Sequence, residues 1–210
     1  EVLTGGREPQ DPALATGCYV EPTVVRADPA AWVIAIAGAA GFLGLSAWGA
    51  GDLETAVETF SETVRSLHAA GHIADELGST VVLAQMWMIR GQPRMARRLY
   101  ERALRTAQQD PGGASTILGD LHAGLSEVLL EQGDLEAAAH YLQTSKELGE
   151  GASFLENRHR WYVAMAGLRG AQGHHETAVE LLDQAESKYL RFFAPMPHLS
   201  NRDVQRFTHV

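Results

Sequence analysis

One cysteine, Cys18, stands in 210 residues, so the chain can form neither an internal disulfide nor a thiolate cage around a metal. So little cysteine leans towards a cytoplasmic setting. Basic residues are also scarce: 17 Lys and Arg face 26 Asp and Glu, a net charge of -9, and no basic run interrupts the chain. A nucleic-acid surface needs clustered Lys and Arg to displace counterions, so direct nucleic-acid binding by this segment is not expected. Phosphate-loop, H-E-x-x-H and nucleophile-elbow spacings are all missing. No catalytic residue, no metal site and no cofactor is expected. Adjacent His174 and His175 would diverge by about 100° on a helix, which suits a solvated helix start better than a chelate. Glu54, Glu58 and Glu62 recur every fourth residue, as a solvated helix face does.

No basic n-region followed by a cleavage site occurs at the start of this sequence either. The chain opens on Glu1 and closes on Phe207-Thr208-His209-Val210 without a helix-stop signal, the pattern of a piece of a longer protein. Three zones follow one another. Residues 1–30 hold four of the eight prolines and the β-prone runs Cys18-Tyr19-Val20 and Thr23-Val24-Val25, so they read as an irregular segment with short strands. Residues 31–50 are nearly all apolar, with no charge between Asp28 and Asp52, about long enough to span a bilayer. No Lys or Arg cluster flanks them, and their glycines suit close helix packing, so the first helix of a stack, buried by its neighbours, is the stronger reading. Residues 52–193 carry a helical period punctuated by glycine.

That punctuation is regular. Gly51, Gly91, Gly133 and Gly173 lie 40, 42 and 40 residues apart. Five residues after each stands Ala56, Ala96, Ala138 or Ala178, and nine after it Phe60, Tyr100, Leu142 or Leu182. Twelve after it stands a small residue: Thr63, Ala103, Ser145 or Ala185. Eight before each glycine lie Leu43, Leu83, Leu125 and Met165, and seven before it Gly44, Ala84, Ser126 and Ala166. Such self-similarity marks a repeat of helical hairpins. The glycine ends one helix in a left-handed turn, and Asp52, Asp134 and Glu176 suit the start of the next. Small columns let helices approach, and large ones fill the gap between hairpins.

In this register the small residue, glycine, alanine and aromatic resemble the tetratricopeptide (TPR) motif. The period exceeds the 34 residues of a standard TPR, so longer helices are expected. The stretches Ala40-Gly41-Phe42-Leu43-Gly44, Glu131-Gln132-Gly133-Asp134-Leu135-Glu136-Ala137-Ala138 and Asn157 to Ala166 resemble the helical-repeat region of MalT-like, LuxR-type bacterial transcription regulators, over roughly residues 38–193. The expected fold is therefore an all-α, TPR-like solenoid of antiparallel helix hairpins. Four hairpins should fill residues 31–193, with 194–210 opening a truncated fifth. In that family an ATPase domain precedes the repeats and a helix-turn-helix follows them, so the resemblance implies a sensor and interaction arm. Glu1 to Gly6, Asp11 to Ala15 and Gly17 to Val24 resemble instead a short non-catalytic stretch of aldehyde dehydrogenase. The match takes in neither nucleophile nor cofactor fold, and Cys18 falls where that family carries an aromatic residue.

By analogy with TPR arrays, first-helix positions line a concave groove. Trp48, Gln85, Met88 and Glu127 stand six or three residues before their glycines, and Asp120 and Arg160 thirteen before theirs. A groove holding them could grip a protein or a small-molecule effector. The competing functions are a generic TPR scaffold, with membrane tethering through residues 31–50 as one version of it, and, less favoured, an aldehyde dehydrogenase-related enzyme fragment.

Overall fold

The computed structural model describes residues 2–4, 24–25, 29–109, 111–154 and 157–193. Two short strands, β1 (Val2–Thr4) and β2 (Val24–Val25), pair antiparallel. The helices are α1 (Pro29–Gly49), α2 (Leu53–Ala69), α3 (Ile73–Ile89), α4 (Pro93–Gln109), the single turn α5 (Pro111–Ala114), α6 (Leu118–Glu131), α7 (Leu135–Leu148), α8 (Arg158–Ala171) and α9 (His175–Phe193). They form the antiparallel hairpins α1–α2, α3–α4, α6–α7 and α8–α9. Each hairpin packs on the next, α2 on α3, α4 on α6, and α8 on both α6 and α7. This is the all-α, TPR-like solenoid that the repeat implied.

The turns explain why the chain folds back where it does. Gly51, Gly91, Gly133 and Gly173 all sit at positive φ, between 70° and 85°. At each, the glycine N–H donates to the carbonyl three residues back and the next N–H to the carbonyl five back, as in Gly51 to Trp48 and Asp52 to Ala47. That is the Schellman pattern, which satisfies orphan carbonyls of the ending helix. Asp52 and Asp134 then cap the following helix, each Oδ1 accepting from a backbone N–H at 3.1 Å, from Thr55 and Ala137. Gly71 makes the same turn between α2 and α3, halfway between Gly51 and Gly91.

The columns take the places their chemistry suggests. Ala56, Ala96 and Ala138 are fully buried, as are Tyr100 and Leu142. Among the small columns, Thr63, Ala103, Ser145 and Ala185 are all buried. Gly44 lies so close to Phe60 that an added Cβ would come within 2.7 Å of its ring. The largest cluster joins α3, α4, α6 and α7 through Leu77, Val81, Tyr100, Leu121, Leu125 and Val128, among others.

Two expectations need correction. The helices of 17 residues in α2, α3 and α4 are longer than a standard hairpin requires, but α6, α7 and α8 have 14 each. There the long period comes from connections: α5 with its flanks, and a 3-10 turn at Glu150–Ala152 ahead of α8. Pro111, Gly112 and Gly113 hold no more than the single turn α5, and Gly149 and Gly151 no more than a 3-10 turn, so the added residues become linkers. Secondly, neighbours do not fully bury α1. Ala37 is buried and Gly44 is covered by Phe60 and Thr59 of α2, while Ile36, Phe42, Leu43 and Leu45 remain exposed. Among the described residues no helix is long and apolar enough to cross a membrane. Cys18-Tyr19-Val20 and the segment 194–210 lie outside the described residues.

Candidate functional site

Four helices contribute to one polar knot. Arg160, near the start of α8, reaches inward and is buried. Its Nη2 donates to Glu127 Oε2 at 2.6 Å and its Nε to Oε1 at 3.2 Å, a two-pronged pair with α6. The same Nη2 donates to the Tyr100 hydroxyl of α4 at 3.2 Å. With its amide oxygen turned towards the guanidinium, Gln85 of α3 accepts from Nε and Nη1 at 3.1 and 3.2 Å. One arginine thus ties three successive hairpins together.

Beside it, Asp120 is almost wholly enclosed. Its Oδ2 accepts from the backbone N–H of Phe154 at 3.1 Å and from Asn157 Nδ2 at 3.0 Å, which fastens the linker before α8 onto α6. Burial pushes the Asp120 carboxyl above the usual range, against these hydrogen bonds and the nearby Arg160 charge, which act downwards. Burial likewise raises the Tyr100 phenol, with Arg160 opposing. Burial by itself would lower the Arg160 pKa, yet the Glu127 carboxylate and Tyr100 hold it above the ordinary value, so it stays charged.

Of the six residues proposed for the groove, Gln85, Glu127 and Arg160 therefore meet, with Asp120 next to them. Trp48 and Met88 do not join the knot. Trp48 is half-buried against the cluster of α2 and α3, and Met88 half-buried against the central cluster. Arg160 and Asp120 face protein groups, whereas Glu127 and Gln85 keep partial exposure. Sequence reasoning missed Tyr100 as a member, treating it as filler. A signal existed: Gly124 on α6 leaves no room for a Cβ, because the Tyr100 ring occupies that space, with Cε1 2.6 Å from where it would sit.

A second buried carboxylate, Glu76 of α3, faces His68 Nδ1 at 3.0 Å and Arg102 Nη2 at 3.8 Å, linking α2, α3 and α4. On α6, the His122 ring lies tilted against Tyr141 with ring centroids 5.6 Å apart, and its Nδ1 is buried without a hydrogen-bond partner. Burial, with a smaller contribution from the charge of His140, lowers its pKa. Among the described residues no three His, Cys, Asp or Glu side chains gather as a metal site would need. His174 and His175 are both exposed. A further cluster went unseen in the sequence: Arg94, Arg98, Arg102 and Arg105 recur at steps of four, four and three and share the exposed side of α4.

The family model for the MalT-like TPR region matches residues 30–209. A search of the curated proteins returns no match. Among solved structures, BtubC (BKLC) from P. vanneervenii is similar at a TM-score of 0.58 and 15% identity, covering 84% of this chain and 70% of that one. A point variant of a Podosopora anserina putative kinesin light chain with nearly identical TPR-like repeats is similar at a TM-score of 0.56 and 17% identity, covering 86% and 84%. At such identities the likeness speaks for the fold alone.

Proposed function

The chain belongs to the MalT-like TPR family, and from that membership we propose that it is the sensor and interaction arm of a LuxR-type bacterial transcription regulator. The family match over residues 30–209 carries this reading. TPR-like arrays generally work by binding proteins, and such an arm acts by favouring one of two states through differential affinity. Its partner, a protein or a small effector, lies along the first helices. Trp48, Met88, Gln85 and Glu127 supply the contact, while Arg160 and Asp120 hold the floor beneath them. Residues 194–210 open a fifth hairpin in this proposal. The exposed Val179 and Leu182 of α9 support it, because the counterparts of Leu182 are covered by a following hairpin. Residues 1–29 stand outside the family match.

The reading frame around this segment tests the proposal. An ATP-binding domain with a phosphate loop upstream and a helix-turn-helix downstream are expected. A frame encoding neither would overturn the regulator and leave a free-standing TPR scaffold. An uninterrupted dehydrogenase upstream would make residues 1–28 part of a fusion.

A further inference from the structure

The repeat register also aligns the outer faces of the second helices. Positions three, seven, eleven and fourteen residues after the hairpin glycine point away from the buried stripe. In α2 they hold Glu54, Glu58, Glu62 and Arg65. In α7 they hold Glu136, His140, Thr144 and Glu147, and in α9 Glu176, Glu180, Gln184 and Ser187. Only α4 inverts the sign, with Arg94, Arg98, Arg102 and Arg105, all exposed. Arg102 lies 3.8 Å from Glu76, and among the described residues no ion pair joins the other three to an acid.

Local stability does not account for the inversion. Arg94 in the first turn opposes the helix macrodipole. The pairs Arg94–Arg98 and Arg98–Arg102 place like charges one turn apart, which weakens a helix. A glutamate face, as on α2, would solvate equally well. A broad polyanion does not fit either, since it would straddle α2 and α7 and meet Glu54, Glu58, Glu62, Glu136 and Glu147 in the same columns.

What fits is a helix with carboxylates at the same steps of four, and α2 is one. Because α2 and α4 both pack on α3 through tight turns, they run in the same direction, both flanking α3. A two-fold axis parallel to them and midway between would lay α4 of each copy along α2 of the other, in register. Arg94, Arg98 and Arg102 would then face Glu54, Glu58 and Glu62, twice over. Arg105 would meet Arg65, which is itself turned back onto Glu62. The interface would be isologous and closed. We propose that the chain self-associates as a two-fold dimer through this outer face, the arginine stripe of α4 against the glutamate stripe of α2 in a second copy.

Sedimentation equilibrium of the full 210-residue chain tests this. Dimers are expected at about 0.01 M ionic strength, where the Debye length is about 30 Å, and monomers at about 1 M, where it is about 3 Å. Arg94→Glu/Arg98→Glu should weaken dimerisation about thirtyfold or more, taking exposed pairs at mid-range. Glu54→Arg/Glu58→Arg should do the same. Mixing the two variants should restore a dimer, since each then presents what the other lacks. Circular dichroism of each variant checks that the helices are intact. Monomers at low salt would overturn the proposal. So would association that survives about 1 M salt, the mark of the apolar ends of the stack, or a charge-swapped mixture that stays monomeric.

Discussion

Arg160 shows why a residue's chemistry cannot be assigned from its type alone. An arginine at a groove position of the repeat suggests a hand extended to a ligand. In the folded chain its donors are taken up by Glu127, Tyr100 and Gln85, three groups whose own desolvation it offsets. Breaking a buried pair by removing one partner costs about 3–5 kcal/mol, but Glu127 retains 27% side-chain exposure and can rehydrate. Arg160→Met is therefore expected to lower stability by about 2–4 kcal/mol in urea denaturation. Adding Glu127→Gln should recover part of that loss, because no unpaired charge remains. If the double variant is worse than the sum of the singles, the pair is not the source of the effect. His122 makes a different residue-scale prediction. Its pKa is lowered in the folded state by burial first and by His140 second, while the face it shares with α7 also holds Tyr141. An unfolded histidine binds a proton near about pH 6.5 and the folded one resists it. Stability should thus be fully present above that pH and fall as pH drops below it. Thermal melts between about pH 7.5 and 5.5, one unit either side of that value, should show a smaller decline for His122→Gln than for the parent chain.

Elements are where the sequence was most legible. The glycine columns located the four hairpin turns because a left-handed residue with no Cβ penalty is a local requirement, readable without tertiary context. Gly71 repeats the turn at half period but escaped the columns, because Glu76 stands where they carry alanine. Helix lengths in the second half were misjudged, since a period counts residues without saying whether they belong to a helix or to its linker. The polar knot was partly legible: register placed Gln85, Glu127 and Arg160 on comparable helix faces but could not say that they would point at one another. Close approach between elements yields the next prediction. Gly124 and Gly41 both lie inside helices, yet an added Cβ at Gly124 would enter the Tyr100 ring, while at Gly41 it meets nothing within 4 Å. Gly124→Ala should cost about 1–3 kcal/mol through overpacking. Gly41→Ala should gain about 0.5–1 kcal/mol from helix propensity. Equal responses in a thermal melt would mean that α4 and α6 are not held at this distance.

For the whole molecule, position in the stack should outweigh residue identity. In a solenoid each hairpin is stabilised by its neighbours, so an end hairpin leaves half an interface open. The column of Leu43, Leu83 and Leu125 isolates this effect with chemistry held constant. Leu83 and Leu125 are 3% and 1% exposed, each wedged beside the second helix of the preceding hairpin, while Leu43 has no hairpin before it among the described residues and is 69% exposed. Truncating a buried leucine forfeits transfer free energy and leaves a cavity, at about 2–5 kcal/mol. Leu83→Ala and Leu125→Ala should each cost that much, and Leu43→Ala less than about 0.5 kcal/mol, as surface changes do. The opposite end behaves alike: Leu182, 49% exposed, shares a column with the buried Phe60, Tyr100 and Leu142. If Leu43→Ala proves as damaging as Leu125→Ala in denaturant titrations, something must cover α1 in solution, and its open face would be an interface and not the edge of the stack.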